Sequence, residues 1–138
     1  MRYLDSSAMV KLLATEAESD ALSEHLVQVP YPARTSAIAI AEVGIAVSMC
    51  GSATLAQASI RSQPWVLLPE VRVLALPTDS EILSAAVALG TTYGLRALDA
   101  IHVATALALV PGLVEVVTYD RRMSRACLAL GLGVVAPA

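Results

Sequence analysis

Apolar and polar positions along this chain switch between two periods. Met1 to Leu4 reads as a short buried strand that ends at Asp5. Ser6 or Ser7 can cap a short helix to about Leu13. Thr15 and Glu18 have capping-box spacing and predict a helix to about Gln28, with Leu22, Leu26 and Val29 on one face. Pro30 and Pro32 flank a connection into a strand near Ala33 to Thr35. Ser36 then caps a long apolar helix through Met49 that stops near Gly51, and a further helix follows to about Ser62. Pro64, Pro69 and Pro77 bracket a looser region in which Val71 to Leu76 reads as extended. Thr78 and Glu81 open a helix to about Leu89, and Gly90 to Gly94 reads as a turn. Leu98 to Val110 is apolar nearly all round and predicts a buried helix. Val114 to Thr118 is a β-branched strand, Asp120 to Leu130 a last helix ending at Gly131, and Gly133 to Ala136 an edge strand. This alternation predicts an α/β fold.

Composition sharpens that picture. The 138 residues fit one domain, residues 1–138, with length enough for a sizeable core. The chain is 57% hydrophobic but only 4% aromatic, with no Phe, so Ala, Val and Leu supply the surplus. Small aliphatic residues suit helices packed closely on a sheet, and the surplus leaves apolar surface for a partner chain or self-association. Glu42, Asp99 with His102, and Pro111 with Gly112 break the apolar stretches before a membrane span accumulates. Asp5 and Lys11 interrupt any signal-peptide core, so a cytoplasmic protein is expected. Cys50 and Cys127 lack CxxC spacing and read as buried free thiols. A net charge of −3 argues against a generic nucleic-acid coat, but not against an enzyme that meets phosphate through bound cations.

Acids are cheap on surfaces and costly in cores. Asp5 ends the first strand and Asp120 follows the strand Val114 to Thr118, at the positions where open parallel sheets place ligand sites. Glu42 interrupts Ile38-Ala39-Ile40-Ala41 and Val43, and Asp99 interrupts Leu98 and Ala100-Ile101. Neither helical acid has Lys or Arg at i±4. Converging carboxylates repel one another unless a cation is bound, and a hard divalent ion is the natural partner. Such a site suits phosphate-ester chemistry. The plainer reading stands beside it: Asp5 and Asp120 can each cap the helix that follows.

Four local words carry a resemblance. They are Tyr3-Leu4-Asp5-Ser6-Ser7-Ala8 with Lys11; Ser36 with Ala41-Glu42-Val43; Leu98-Asp99-Ala100-Ile101-His102-Val103-Ala104-Thr105-Ala106; and Val117-Thr118-Tyr119-Asp120-Arg121-Arg122-Met123. Together they resemble the PIN-domain family, specifically VapC-type toxins of bacterial toxin–antitoxin pairs. The resemblance implies an α/β/α domain with a mostly parallel central sheet flanked by helices. It implies an endoribonuclease dependent on Mg²⁺ or Mn²⁺ that hydrolyses RNA by metal-activated water. It also implies a cognate VapB-type antitoxin and, commonly, a homodimer. Asp5, Glu42, Asp99 and Asp120 match the family's catalytic, metal-binding acids one by one. Glu42 would bind directly or through water, and Asp120 would bind a second ion or position water. Ser6 and Thr118 match the hydroxyl positions beside them; the alternatives are a helix cap for Ser6 and a strand-end hydrogen bond for Thr118.

The other polar residues divide between site and surface. Arg96 precedes the Asp99 helix and is placed to meet a phosphate or to sit solvated in a turn. Arg121, Arg122 and Arg125 form a basic cluster for RNA backbone, antitoxin or solvent, and Lys11 is similar. His102 shares a helix face with Asp99, but imidazole suits Zn²⁺ better than Mg²⁺, so packing beside the site is the reading preferred. Trp65 reads as core or interface packing. Competing functions are another Mg²⁺-dependent phosphate-ester hydrolase and a catalytically silent binding domain. A phospho-acceptor module would need paired acids after the first strand and a late Lys, and neither is present.

Overall fold

The computed structural model describes residues 1–51 and 64–138. The helix expected up to Ser62 lies outside them. In chain order the elements are β1 (Arg2–Leu4), α1 (Ser6–Leu13), α2 (Ser19–Gln28), β2 (Ala33–Ser36), α3 (Ile38–Met49), β3 (Trp65–Leu67), β4 (Arg72–Leu76), α4 (Ser80–Tyr93), α5 (Ala97–Leu107), β5 (Glu115–Val117), α6 (Arg121–Ala129) and β6 (Val134–Val135). The strands form one six-stranded sheet in the order β3-β4-β2-β1-β5-β6. Every pairing is parallel except that of β3 with β4.

Period-two alternation sorts the core into two layers. Leu4 and Val117 face Ala8 and Met9 of α1, Leu22 and Leu26 of α2, and Ala39, Val43 and Val47 of α3. Tyr3 and Val116 face Val103 and Ala106 of α5 and Met123, Ala126 and Cys127 of α6. The result is the expected α/β/α arrangement with a mostly parallel central sheet. Strands covered on both faces are largely apolar, and the charges that β1 and β5 do carry, Arg2 and Glu115, are buried only as a pair. β1 lies between β2 and β5, and the helices following β1 and β5 take opposite faces. The carboxyl ends of β1 and β5 therefore flank the crevice where such sheets bind ligands.

Several local expectations are corrected. Asp5, not Ser6 or Ser7, caps α1, accepting from the Ala8 amide. Thr15 and Glu18 form no capping box, because Lys11 draws Glu18 at 2.9 Å and Glu16 at 3.1 Å. Helix α2 instead starts at Ser19, whose hydroxyl donates to the Lys11 carbonyl at 2.7 Å. Ser36 stays in β2 and does not cap α3. Asp79 rather than Thr78 caps α4, accepting from the Ile82 amide at 2.9 Å. Helix α4 also runs through the expected turn to Tyr93 and stops at Gly94, whose φ of 65° is left-handed. Gly90 is helical and serves packing: a Cβ there would meet the Ala100 Cβ at 3.6 Å. Strand β3, centred on Trp65 and Val66, falls in the region read as looser, and Arg72 of β4 stacks over the Trp65 ring at 4.7 Å. Cys127 is buried as expected, and burial pushes its thiol up to about 11. Cys50, at the end of α3 beyond the exposed Met49, is itself exposed.

At the amino end of the sheet the fully buried Arg2 holds Glu115 at 2.9 Å, and His25 Nε2 reaches the same carboxylate oxygen at 3.0 Å. Arg2 also donates to the Val29 carbonyl. Burial lowers the Arg2 pKa, and the Glu115 charge opposes that shift.

Candidate active site

At the opposite, carboxyl end of the sheet, two acids stand at strand ends. Asp5 leaves β1 and is buried. Its Oδ1 accepts from Ser7 Oγ at 2.7 Å and the Ala8 amide at 3.0 Å, and its Oδ2 accepts from Thr118 Oγ1 at 2.6 Å. Two acceptor sites on each oxygen leave Oδ2 one position beyond these bonds. Thr118 is placed by the end of β5 and also accepts from the Asp120 amide at 3.1 Å. Asp120 caps α6, its Oδ1 accepting from the Met123 amide at 2.8 Å. Both strand-end aspartates are thus helix caps. The cap fixes each carboxylate without exhausting it, so capping and site membership coexist.

Helices α3 and α5 supply the other two acids. Glu42 is half-buried; its Oε1 accepts from Ser6 Oγ and from His102 Nε2, each at 2.6 Å. Ser6 does not cap α1 but donates to this carboxylate. His102 Nδ1 lies 2.6 Å from the Tyr3 hydroxyl, which accepts from the Ser36 amide. In the neutral imidazole Nε2–H donates to Glu42 and Nδ1 accepts the tyrosine proton. Asp99 sits in the first turn of α5, partly exposed.

The electrostatics record the convergence. Burial raises the Asp99 pKa, and the charges of Asp120 and Glu42 raise it further against His102 and Arg96. Burial also raises Asp5, opposed by the hydrogen bonds from Thr118, Ser7 and Ala8. For Glu42 burial acts upward, but the bonds from His102 and Ser6 outweigh it and hold this carboxyl below the usual glutamate range. Among the described residues, Asp5, Asp99 and Asp120 form no salt bridge with Lys or Arg. The donor set is oxygen-rich, and Asp99 and Asp120 repel one another with no Lys or Arg ion pair to either among the described residues, which suits a hard divalent cation. Among the described residues, no three His, Cys, Asp or Glu side chains stand together closely enough to hold a metal ion as they are.

The remaining expected residues surround this patch. Arg96 is exposed at the entry to α5. Arg121 lines a cleft of about 340 Å³ with Thr118, Tyr119, Asp120, Ser124 and Arg125. Lys11 pairs with Glu16 and Glu18 and lies 4.7 Å from the Tyr119 ring centroid, so it is not a free cation of the site. The sequence pattern gives His102 a packing role only. Its link from Tyr3 to Glu42 is invisible in spacing, because residue 3, residue 42 and residue 102 meet only through the sheet.

The PIN domain family model matches residues 2–128. The chain belongs to the PIN-domain family. Ribonuclease VapC46 of Mycobacterium tuberculosis is 42% identical over 135 residues, covering 98% of this chain and 96% of that protein. A toxin–antitoxin complex from Klebsiella pneumoniae contains a chain that superposes with a TM-score of 0.71 at 20% identity, covering 100% of this chain and 98% of that one. Mycobacterium tuberculosis VapC20, a sarcin–ricin loop cleaving toxin, superposes at 0.70 with 19% identity, covering 99% of this chain and 100% of that one. At these identities the two structures speak for the fold. In this PIN domain Asp5 and Asp120 follow β1 and β5, while Glu42 lies on α3 and Asp99 on α5. Among the described residues no helix is long and apolar enough to cross a membrane.

Proposed function

We propose that this PIN domain is a metal-dependent endoribonuclease of the VapC type, the toxin of a toxin–antitoxin pair. The observation that carries this is the placement of Asp5 and Asp120 where β1 and β5 end, with Glu42 tied to Ser6 beside Asp5 and Asp99 near enough for the charge of Asp120 to act on it. The 42% identity to a ribonuclease across nearly the whole chain supports RNA as substrate. Asp5, Glu42, Asp99 and Asp120 are the residues to hold Mg²⁺ or Mn²⁺. Bound there, the ion supplies charge neutralisation at the scissile phosphate and an activated water.

The chain's own residues prepare that chemistry. Thr118, Ser7 and the Ala8 amide fix the Asp5 carboxylate, leaving one Oδ2 position outward. Ser6 and His102 fix Glu42 through Oε1, and Oε2 accepts no hydrogen bond among the described residues. Arg96 and Arg121 are placed to hold phosphate oxygens of the strand. A VapB-type antitoxin or a second copy of the chain would cover the apolar faces left open by Ile45 and Met49 of α3 and Leu83 and Val87 of α4. Residues 1–138 are read as one domain working in the cytoplasm.

The test is cleavage of total cellular RNA by purified, antitoxin-free protein with Mg²⁺, with Mn²⁺ and with EDTA, using Asp99→Asn as control. Metal-dependent discrete fragments that vanish in the variant are expected. Absence of cleavage by folded protein that still binds the ion would redirect the site to another phosphate ester or to binding alone.

A further inference from the structure

The cations of the described residues are unevenly engaged. Arg2 and Lys11 are in ion pairs, Arg34 donates to the Ala33 carbonyl at 2.9 Å, and Arg72 stacks over Trp65. Arg96, Arg121, Arg122 and Arg125 are exposed and, among the described residues, engage no carboxylate. On a chain of net charge −3, Arg121, Arg122 and Arg125 thus concentrate positive charge on α6, the helix that Asp120 caps.

Two of these arginines enter a second cleft. Arg122 and Arg125 line a space of about 380 Å³ with Tyr93, Gly94, Ala126 and Ala129. That volume lies within the range of roughly 300–1,000 Å³ typical of small-ligand sites. Tyr93 ends α4 with 37% of its surface exposed. Gly94 beside it is in the left-handed region, and a Cβ there would meet nothing within 4 Å, so the mouth of the cleft is open. Arg125 also lines the cleft that contains Thr118, Asp120 and Arg121. It stands one and a half turns, roughly 7.5 Å along the helix axis, from the Asp120 cap. One continuous wall of α6 thus runs from the acids to an exposed aromatic ring.

We propose that the Tyr93–Arg122–Arg125 cleft is a nucleotide subsite, which rests on the ribonuclease reading and takes one nucleotide of single-stranded RNA flanking the scissile phosphate. The base stacks on Tyr93 over the alanine floor, and the arginines hold its phosphate. A flat ring beside two guanidiniums matches the two groups that every nucleotide presents, a π-face and an anion. The same pair suits single strands, whose bases are unstacked and free to be splayed.

Fluorescence anisotropy with a labelled short single-stranded RNA and the cleavage-dead Asp99→Asn protein tests this. Tyr93→Ala is expected to weaken binding about tenfold and Tyr93→Phe to restore it, because the ring and not the hydroxyl stacks. Arg122→Ala with Arg125→Ala is expected to lower the slope of log affinity against log salt by about 0.7 for each phosphate no longer neutralised. In the cleaving protein, Tyr93→Ala should raise KM with little change in kcat. Unchanged affinity and salt slope in all variants, with RNA still bound and cleaved by the parent proteins, overturns the subsite and leaves the ribonuclease reading standing. Variants that keep RNA affinity but escape inhibition by the antitoxin also overturn it, assigning the cleft to that protein partner. No cleavage by wild type and no RNA binding by Asp99→Asn overturns the ribonuclease reading itself.

Discussion

Two histidine–glutamate pairs sit at opposite ends of this sheet and do different work. At the amino end His25 and Glu115 meet at 3.0 Å, with the buried guanidinium of Arg2 on the same carboxylate. At the carboxyl end His102 and Glu42 meet at 2.6 Å, with the Ser6 hydroxyl beside them and the charge of Asp99 nearby. The first acid is neutralised by a cation that the chain itself supplies. The second belongs to a group of carboxylates without such a cation. A compensated buried charge belongs to the fold, whereas an uncompensated cluster awaits an ion from outside.

Asp99→Asn breaks the carboxyl-end cluster most sharply. Cleavage is expected to fall about 10²–10³-fold, the scale of losing one electrostatic group from a catalytic site. Thermal unfolding of the metal-free protein should not drop, since the substitution removes repulsion. Arg2→Ala breaks the other end. It leaves Glu115 with His25 alone, and urea denaturation should show a loss of about 3–5 kcal/mol, as for other broken buried pairs. Cleavage per folded molecule should persist.

His102→Ala is the finer test. Outer partners of metal ligands typically contribute 10–100-fold in affinity, so Mn²⁺ titration by calorimetry should show a loss of roughly that size. The same substitution in the Asp99→Asn background should add little. Unaltered Mn²⁺ affinity in His102→Ala would return this residue to plain packing.

The pH dependence sets the smallest contrast. Asp5 and Asp99 have raised folded values, so in the metal-free protein they make stability fall as pH rises through their raised range. Glu42 has a lowered folded value, and its contribution is present above the unfolded pKa and lost on acidification. Metal binding needs all of them ionised and releases protons. The rise in unfolding temperature on adding Mn²⁺ should therefore be larger near pH 7 than below about pH 5, with an upper scale of about 2.7 kcal/mol at a hundredfold excess over Kd. Equal rises at both pH values would separate the carboxylates from the ion.

Much of the fold and site is legible because apolar context makes an acid conspicuous. Glu42 within an apolar helix and Asp5 after a buried strand announce themselves, and the alternation of elements carries the sheet. The misreadings share a local cause. Ser6, Thr78 and Ser36 look like caps, but their hydroxyls go to Glu42, to Ser36 and to Thr78, partners distant in sequence. The neighbouring Asp5 and Asp79 take the caps. Gly90 looks like a turn because the sequence cannot show that α4 continues through it to Tyr93, beside Ala100 of α5. Strand β3 is hidden by its prolines, and only its pairing with β4 makes it a strand.

The place of β1 in the middle of the sheet has a consequence for how the protein is made. Asp5 is among the first residues synthesised, yet its Thr118 partner lies 113 residues later. At ribosomal speeds of about 5–20 residues per second, the two are separated by roughly 6–20 seconds of translation. Through that interval β1 has no β5 to pair with and the strand-end acids are apart. The hydrogen-bonded arrangement of Asp5, Thr118 and Asp120 is therefore completed only once the end of β5 has emerged.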